Sequence, residues 1–347
     1  MPKIAIVVLF YNGANYVADC LGSLVKINYP KDDFDIVVVD NKSSDNTVDE
    51  VRKNFSGDVV LIESDKNKGY AGGNNIGIKY ALKNNFDYVY ILNPDTEVDP
   101  DFLKTVVDFA ENNKETGIVQ SKILLWDERD KIQTSGNKIH FTGICYSGDF
   151  NKQDKLSDEP FEIAYASGAG MLIKKEVLES VGIFNERYFM YHEDADLGWL
   201  TRLYGHKVIT LPSSIVYHKY SFSKNKNKYF WMERNRWWTI LKNYKVGTLI
   251  VFAPALILLE IMLLVYSVMS GWFVEKLKSY PAIFSGLAEV MRERRKVQAE
   301  RKISDRQFLK FVTPKLEFSG MTEGFIVKCV NVFFKAYFKI AQKLIAW

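Results

Sequence analysis

The sequence predicts an α/β fold, a mostly parallel sheet flanked by helices, followed by a helical region of different character. Three observations predict it. Short apolar runs rich in β-branched residues recur through the first two-thirds of the chain. Segments with helical spacing separate them, which is the signature of βαβ units. Past residue 245 that alternation stops, and long apolar and amphipathic stretches take over.

Ile4–Phe10 is a continuous apolar run, as buried parallel strands tend to be. It is short and leads into Tyr11-Asn12-Gly13 with no cleavage-like site, so it reads as a first strand and not a signal peptide. Asn15–Val25 carries Val17, Leu21, Leu24 and Val25 on one helical face. Asp35–Val39 is the next strand, closed by Asp40 and the turn Asn41–Thr47; Thr47–Phe55 follows as a helix. Val59–Glu63, a helix over Gly73–Asn84, and a strand over Tyr88–Leu92 complete the regular part. Gly117–Lys122 and Ala169–Ile173 add mixed strands, while the polar stretch 126–162 reads as a mobile loop over the site. Phe184–Leu203 carries an acidic stretch that opens the helix-like run Leu197–Leu200, Lys207–Leu211 and Ser214–His218 are the last strand-like pieces, and Ser223–Lys228 is a connector.

The 347 residues allow one large domain or two, and the composition is globular. A net charge of +4 does not suggest a nucleic-acid binder. Cys20, Cys145 and Cys329 are far apart and have no metal-ligand spacing, which argues against a disulfide framework and suits a reducing compartment. From Lys276 to Lys310 the chain leans basic, a pattern expected of a surface facing anionic lipid or an anionic substrate, or of a solvated helix.

Two acidic stretches carry the chemistry. Asn93-Pro94-Asp95 ends a buried strand, where ligands of parallel sheets bind. A carboxylate there can hold a divalent cation through oxygen. His192-Glu193-Asp194-Ala195-Asp196 opens a helix and crowds three carboxylates into four residues. Crowding raises at least one pKa, which suits a general base, although acids at a helix start also favour the macrodipole. Asp40 can accept hydrogen bonds from a base or ribose, and a plain turn residue would look the same. The glycine- and asparagine-rich run Asn67–Gly77 matches no standard phosphate loop but can bring backbone N–H groups against a phosphate or sugar. His218 follows a strand and can ligate metal.

Taken in order, Val37–Asn41 with Ser44 and Asp45, Asn67–Gly77, Asn93-Pro94-Asp95, Gly168-Ala169, Glu193–Leu197, and His218 with Ser221 resemble a family 2 glycosyltransferase of the GT-A fold, in its rhamnosyltransferase-like branch. The resemblance covers about residues 3–245. It implies a metal-dependent inverting transfer of a sugar from a nucleoside-diphosphate donor. Asp194 would be the catalytic base, and Glu193 would position it or the acceptor. Asp95 would hold Mg²⁺ or Mn²⁺, with His218 as a further metal or diphosphate contact. Tyr11, Asn12, Asp40, Asn67, Gly69, Asn74 and Asn93 would contact the nucleotide sugar. Asn93 stands where many relatives carry a first aspartate, and Glu233–Trp237 only partly matches the Gln-x-x-Arg-Trp motif of processive enzymes. Two alternatives share the fold: a polyprenyl-phosphate glycosyltransferase and a non-catalytic membrane-bound scaffold.

The pattern divides the chain into a catalytic domain, 1–245, and a helical membrane-associating region, 246–347. Tyr229–Tyr244 is an aromatic, basic helix. Leu249–Met269 has nearly the roughly 20 apolar residues of a bilayer span. Two features oppose spanning. It would put the basic tail outside, against the positive-inside tendency, and Glu260 mid-span would cost roughly 2.5–3.5 kcal/mol. The expectation is an interfacial or re-entrant segment on the cytoplasmic face of the membrane. Gly324–Trp347 is amphipathic, with Lys328, Lys335, Lys339 and Lys343 on one side and Phe325, Val332, Phe333 and Leu344 opposite. This tail suggests a lipid-linked glycan acceptor.

Overall fold

The structure, a computed structural model, describes residues 1–220, 225–317 and 325–347. Ser221, the start of the Ser223–Lys228 connector and Gly324 lie outside the described residues. Strands β1 (Ile4–Phe10), β2 (Phe34–Asp40), β3 (Val59–Glu63) and β4 (Tyr88–Leu92) pair in parallel in the order β3-β2-β1-β4, with α1 (Ala14–Leu24), α2 (Thr47–Phe55) and α3 (Gly69–Lys83) between them. β1 is buried along its whole length, which is why it reads as uninterrupted apolar sequence. Helix α3 starts four residues before the expected Gly73. Its glycines let it lie close on the sheet: a Cβ on Gly73 or Gly77 would come within 2.4 Å of Leu9 or Val7.

Beyond β5 (Thr96–Val98) and α4 (Phe102–Asn112) come β6 (Thr116–Leu125), β7 (Ile132–Thr134), β8 (Asn137–His140), β9 (Cys145–Ser147), β10 (Phe161–Glu162) and β11 (Gly170–Lys174). β11 enters the sheet antiparallel between β4 and β6. After α5 (Lys175–Ser180) and α6 (Glu193–Leu203), β12 (Lys207–His218) runs parallel to β6 and antiparallel to β5. The two expected strands 207–211 and 214–218 are therefore one, with a register shift between Leu211 and Ile215 that absorbs Pro212.

The expectation of a mobile loop over 126–162 is corrected. Short strands fill this stretch, anchored by buried Ile132, Ile139 and Phe141. Its polar residues are spent internally, with Asp154 on Lys122 at 2.7 Å and Ser135 on Asp149 at 2.6 Å.

The chain continues through α7 (Asn227–Asn243), α8 (Val246–Met269), α9 (Phe273–Ser285), α10 (Leu287–Glu300), α11 (Asp305–Phe308), β13 (Val312–Thr313) and α12 (Phe325–Leu344). β13 adds to β8 and β9 as a small second sheet. One apolar cluster joins Ile139, Trp199, Phe252, Phe308 and Phe338, so the C-terminal helices share a core with the region that carries α6.

The basic run 276–310 does not form one lipid- or substrate-facing surface. Lys276 is fully buried on Glu233 and Glu260. Arg301 pairs with buried Asp305 at 2.6 Å, and Arg294 donates to the carbonyls of Leu241 and Tyr244 at the end of α7. Arg292, Arg295 and Lys296 remain exposed.

Candidate functional site

The carboxyl ends of β1, β2 and β4 form one rim. Phe10 and Asp40 are register partners there, and Tyr11 extends beyond them half exposed. Asn12 has a positive φ of 51° and folds onto the facing turn, where its Oδ1 accepts from Ser44 N at 2.7 Å. Asp40 is buried and caps the same turn by accepting from Ser43 N at 3.1 Å. These three residues come together as one edge.

The segment 67–77 is more inward-facing than its composition suggests. Asn41 donates to Asn67 Oδ1 at 3.0 Å, Gly69 N donates to the same oxygen at 2.8 Å, and Lys68 N donates to Asn41 Oδ1 at 2.9 Å. At the head of α3 the N–H groups of Gly69 and Ala71 are thus engaged within the protein, the second on Phe189 O at 3.1 Å. Gly69 is needed for its φ of 69° and because Phe189 O would lie 2.3 Å from any Cβ there. Asn74 is buried, with its amide on Tyr70 O at 3.0 Å and its Oδ1 unpartnered.

Asp95 follows β4 and reaches His218, whose Nε2 lies 3.1 Å from Asp95 Oδ1. The β5–β12 pairing brings them together by setting His218 opposite Thr96. His218 Nδ1 and Asn93 Oδ1 are buried without partners. Among the described residues there is no group of three or more potential metal-ligating His, Cys, Asp or Glu side chains. An acidic oxygen and an imidazole nitrogen still fit a hydrated divalent cation that draws the rest of its shell from phosphate and water.

Glu193 and Asp194 open α6 on a strained approach. Phe189, Tyr191 and His192 all have positive φ, of 64°, 66° and 69°. Asp194 accepts from Ala195 N at 2.7 Å and Gly168 N at 3.5 Å. Burial raises its pKa to about 6, with those N–H donors pulling the other way. Glu193 is raised well above the usual carboxylate range, by burial and then by the Asp194 charge, and its Oε2 has no partner. Asp194, with the Ala195 and Gly168 N–H groups on it, is the one of the two whose ionised form the backbone favours. Asp196, the third acid, faces elsewhere and pairs with buried Lys242 at 2.5 Å.

The two acidic stretches meet at Tyr70. Its hydroxyl donates to Gly168 O at 2.8 Å, and its pKa is raised well above normal by burial and then by the charges of Glu193, Asp194 and Asp95. Gly168 is also the residue whose N–H faces Asp194, and Ala169 O accepts from Asn93 N at 3.5 Å. Asp194 thus touches this stretch of backbone directly, and Asn93, two residues before Asp95, touches it from the other side.

Sequence reasoning missed what holds this loop. Asn235 of α7 is fully buried and donates to the carbonyls of Tyr188, Met190 and Tyr191 at 3.0, 3.0 and 2.8 Å. Arg234 donates to Arg187 O at 2.6 Å and to Asn235 Oδ1 at 2.8 Å. Polar residues in the middle of an aromatic helix were the available signal.

The sequence signature of glycosyl transferase family 2 matches residues 5–182, just over half of the chain. A low-salt glycan biosynthesis hexosyltransferase of Haloferax volcanii is 31% identical over 176 residues, covering 48% of this chain and 53% of that protein. An N-acetylglucosaminyl-diphospho-decaprenol L-rhamnosyltransferase of Mycobacterium tuberculosis is 26% identical over 154 residues, covering 41% of this chain and 50% of that protein. The chain spans about half the length of these curated relatives. Among solved structures, a Pyrobaculum calidifontis mannosyltransferase in complex with GDP-mannose and Mn²⁺ superposes with a TM-score of 0.52 at 16% identity, covering 99% of this chain and 86% of that one. That likeness bears out the expected fold.

Proposed function

The chain belongs to glycosyl transferase family 2, and on that premise we propose that it transfers a sugar, with inversion, from a nucleoside diphosphate to a hydroxyl of a lipid-linked glycan. The observation that carries this reading is that the Gly168-Ala169 backbone touches both acidic stretches, Gly168 N on Asp194 and Ala169 O on Asn93. Asp194 takes the proton of the acceptor hydroxyl. The acceptor oxygen then bonds to the anomeric carbon, and the bond from that carbon to the diphosphate breaks, its electron pair leaving with the nucleoside diphosphate. A pKa of about 6 leaves Asp194 ionised at neutral pH yet basic enough to serve. Glu193, beside it, positions the base or the acceptor. Asp95 and His218 hold Mg²⁺ or Mn²⁺, which supplies neutralising charge for the departing diphosphate. Tyr11, Asn12 and Asp40 line the nucleotide edge, and Asn93 contacts the donor through its unpartnered Oδ1.

Two comparisons support the cofactor and acceptor. The Pyrobaculum mannosyltransferase was solved with Mn²⁺. The mycobacterial relative is named for a diphosphate-linked lipid. On this reading 1–245 is the catalytic domain, and 246–347 keeps it at the cytoplasmic face of a membrane. The test is a thermal-shift screen of uridine, thymidine and guanosine diphosphate sugars, with and without Mn²⁺. One donor should stabilise the protein in a Mn²⁺-dependent way, and Asp95→Asn should erase that dependence. Transfer of that donor's sugar to a polyprenyl-diphosphate-linked acceptor should then depend on Asp194. Wild-type turnover by Asp194→Asn would remove the base assignment.

A further inference from the structure

Among the described residues, the large apolar side chains left in water are distributed unevenly. Only Met1 and Tyr11 lie outside residues 246–347. On α8, Ile250, Ile257, Ile261, Val265 and Val268 are each more than half exposed and recur at helical spacing. Flanking α8, α9 bares Val274, Leu277 and Phe284, and α12 bares Val332, Phe333 and Ile340. A soluble surface rarely leaves this much apolar area open.

By length and composition α8 alone among the described helices could cross a bilayer. Its other face, however, is tied to the protein from end to end. Phe252, Ala255, Leu256, Leu259 and Leu263 are buried in the shared core. Mid-helix, Glu260 takes Arg236 at 2.8 Å and Tyr280 Oη at 2.7 Å, and it also pairs with Lys276. At the start, Thr248 Oγ1 donates to Asp305 at 2.5 Å and accepts from Trp347 Nε1 at 2.9 Å. Inserting α8 across a membrane would strip Arg236 and Lys276, both fully buried, of a shared counter-charge.

Beside the apolar stripes runs an edge of cations. Lys328, Lys335, Lys339 and Lys343 are all exposed on α12, and none forms an ion pair among the described residues. They share the exposed side with Val332, Phe333 and Ile340; the packed face of α12 is Phe334, Phe338, Ala341 and Ile345. The expected two-sided division of this helix is therefore three-sided. Helix α12 has no acidic residue, so a second copy pairing α12 against α12 would offer these lysines no anion.

We infer that α8, α9 and α12 together form a one-sided platform that lies in the plane of an anionic phospholipid leaflet, α8's free stripe among the acyl chains and the α12 lysines at the phosphates, with no helix crossing. This deepens the membrane part of the proposed function and rests on it. It sets an apolar face against lipid and a basic edge against headgroups, the two contributions that hold interfacial helices.

Vesicle flotation of the full chain tests it. Binding to phosphatidylcholine mixed with phosphatidylglycerol should exceed binding to phosphatidylcholine alone by at least about tenfold and weaken with salt. Lys335→Glu, Lys339→Glu and Lys343→Glu together should abolish the preference. Ile257→Ser, Ile261→Ser and Val265→Ser together should abolish binding to both vesicles. Circular dichroism and the donor-induced thermal shift report that each variant is folded. Wild-type-like flotation of both variants overturns the inference. So does resistance to alkaline carbonate extraction, which would mean a spanning helix. A lipid-free dimer broken by the serine set, with no flotation, would assign the face to a second copy. Donor hydrolysis on the same samples separates the two claims. Hydrolysis without flotation defeats the platform alone, and flotation without transfer to any lipid-linked acceptor defeats the functional reading alone.

Discussion

Glu193 and Asp194 at the head of α6, and Glu233 and Glu260 between α7 and α8, are both close pairs of buried or largely buried acids, and the protein treats them in opposite ways. In the second pair burial pushes the carboxyls up, but Arg236 and Lys276 outweigh it and hold both below the ordinary range, Glu260 at about 2. In the first pair no cation answers. Burial dominates, and both carboxyls rise. The paired cluster joins three helices, whereas the unpaired one lies after a strained loop and retains an unsatisfied oxygen. Buried charge that is matched builds architecture here. Buried charge left unmatched is the feature a proton-transfer site needs.

Swapping one acid for its amide in each cluster should break this symmetry. Asp194→Asn should lower kcat by about 10²–10⁴-fold, the range for losing a positioned base, with donor-induced thermal shift retained. Glu193→Gln should lose far less, because Glu193 positions a partner and does not take the proton. Equal losses in the two variants would merge roles that the geometry separates. In the paired cluster Glu233→Gln leaves Arg236 and Lys276 sharing one acid. Urea unfolding should show a loss of about 3–5 kcal/mol, with kcat close to wild type at permissive temperature. An unchanged midpoint would mean the cluster is ornamental.

The comparison sharpens at Asn235, which links the two regions. It holds the 188–191 carbonyls while its helix neighbour Arg236 belongs to the paired cluster. Asn235→Ala should lower kcat by about 10–100-fold through misplacement of Asp194, leave donor affinity unchanged, and shift the acid limb of the pH–rate profile. A purely structural role would lower the melting temperature without moving that limb.

How much of this was legible in the sequence differs between the regions for a physical reason. The parallel core was readable because buried strands such as Ile4–Phe10 are apolar throughout, and a local run reports burial. Asp95 and both helix-opening acids were visible as types at strand and helix ends. Their relation was not, since the Asp95–His218 contact depends on strand register across more than a hundred residues. Lys276 read as one cation in a basic run because spacing cannot reveal that Glu233 and Glu260 lie across from it. Asn235 showed only as a polar residue within an aromatic helix, and its role did not show. Its partners are backbone carbonyls, which every residue has.

The dependence on pH is the most discriminating test. Asp194 has a folded pKa of about 6 against an ordinary value of 3.8, so the folded protein holds a proton that the unfolded chain has released. Its contribution to stability is full below about pH 4 and is lost as pH rises through 6. Asp194→Asn cannot titrate, so at pH 8 it should be more stable than wild type by up to about 3 kcal/mol, the equivalent of two pKa units, and the gap should close on acidification. Glu260 runs the other way. Its lowered pKa gives stability that is present above about 4.5 and fades as pH falls toward 2, so Glu260→Gln should cost most at neutral pH. Opposite slopes of these differences against pH, measured by thermal unfolding, would establish that one buried acid is strained and the other satisfied. If the Asp194→Asn curve instead runs parallel to wild type from pH 4 to 8, Asp194 titrates as an ordinary surface carboxylate, and the contrast between the clusters disappears.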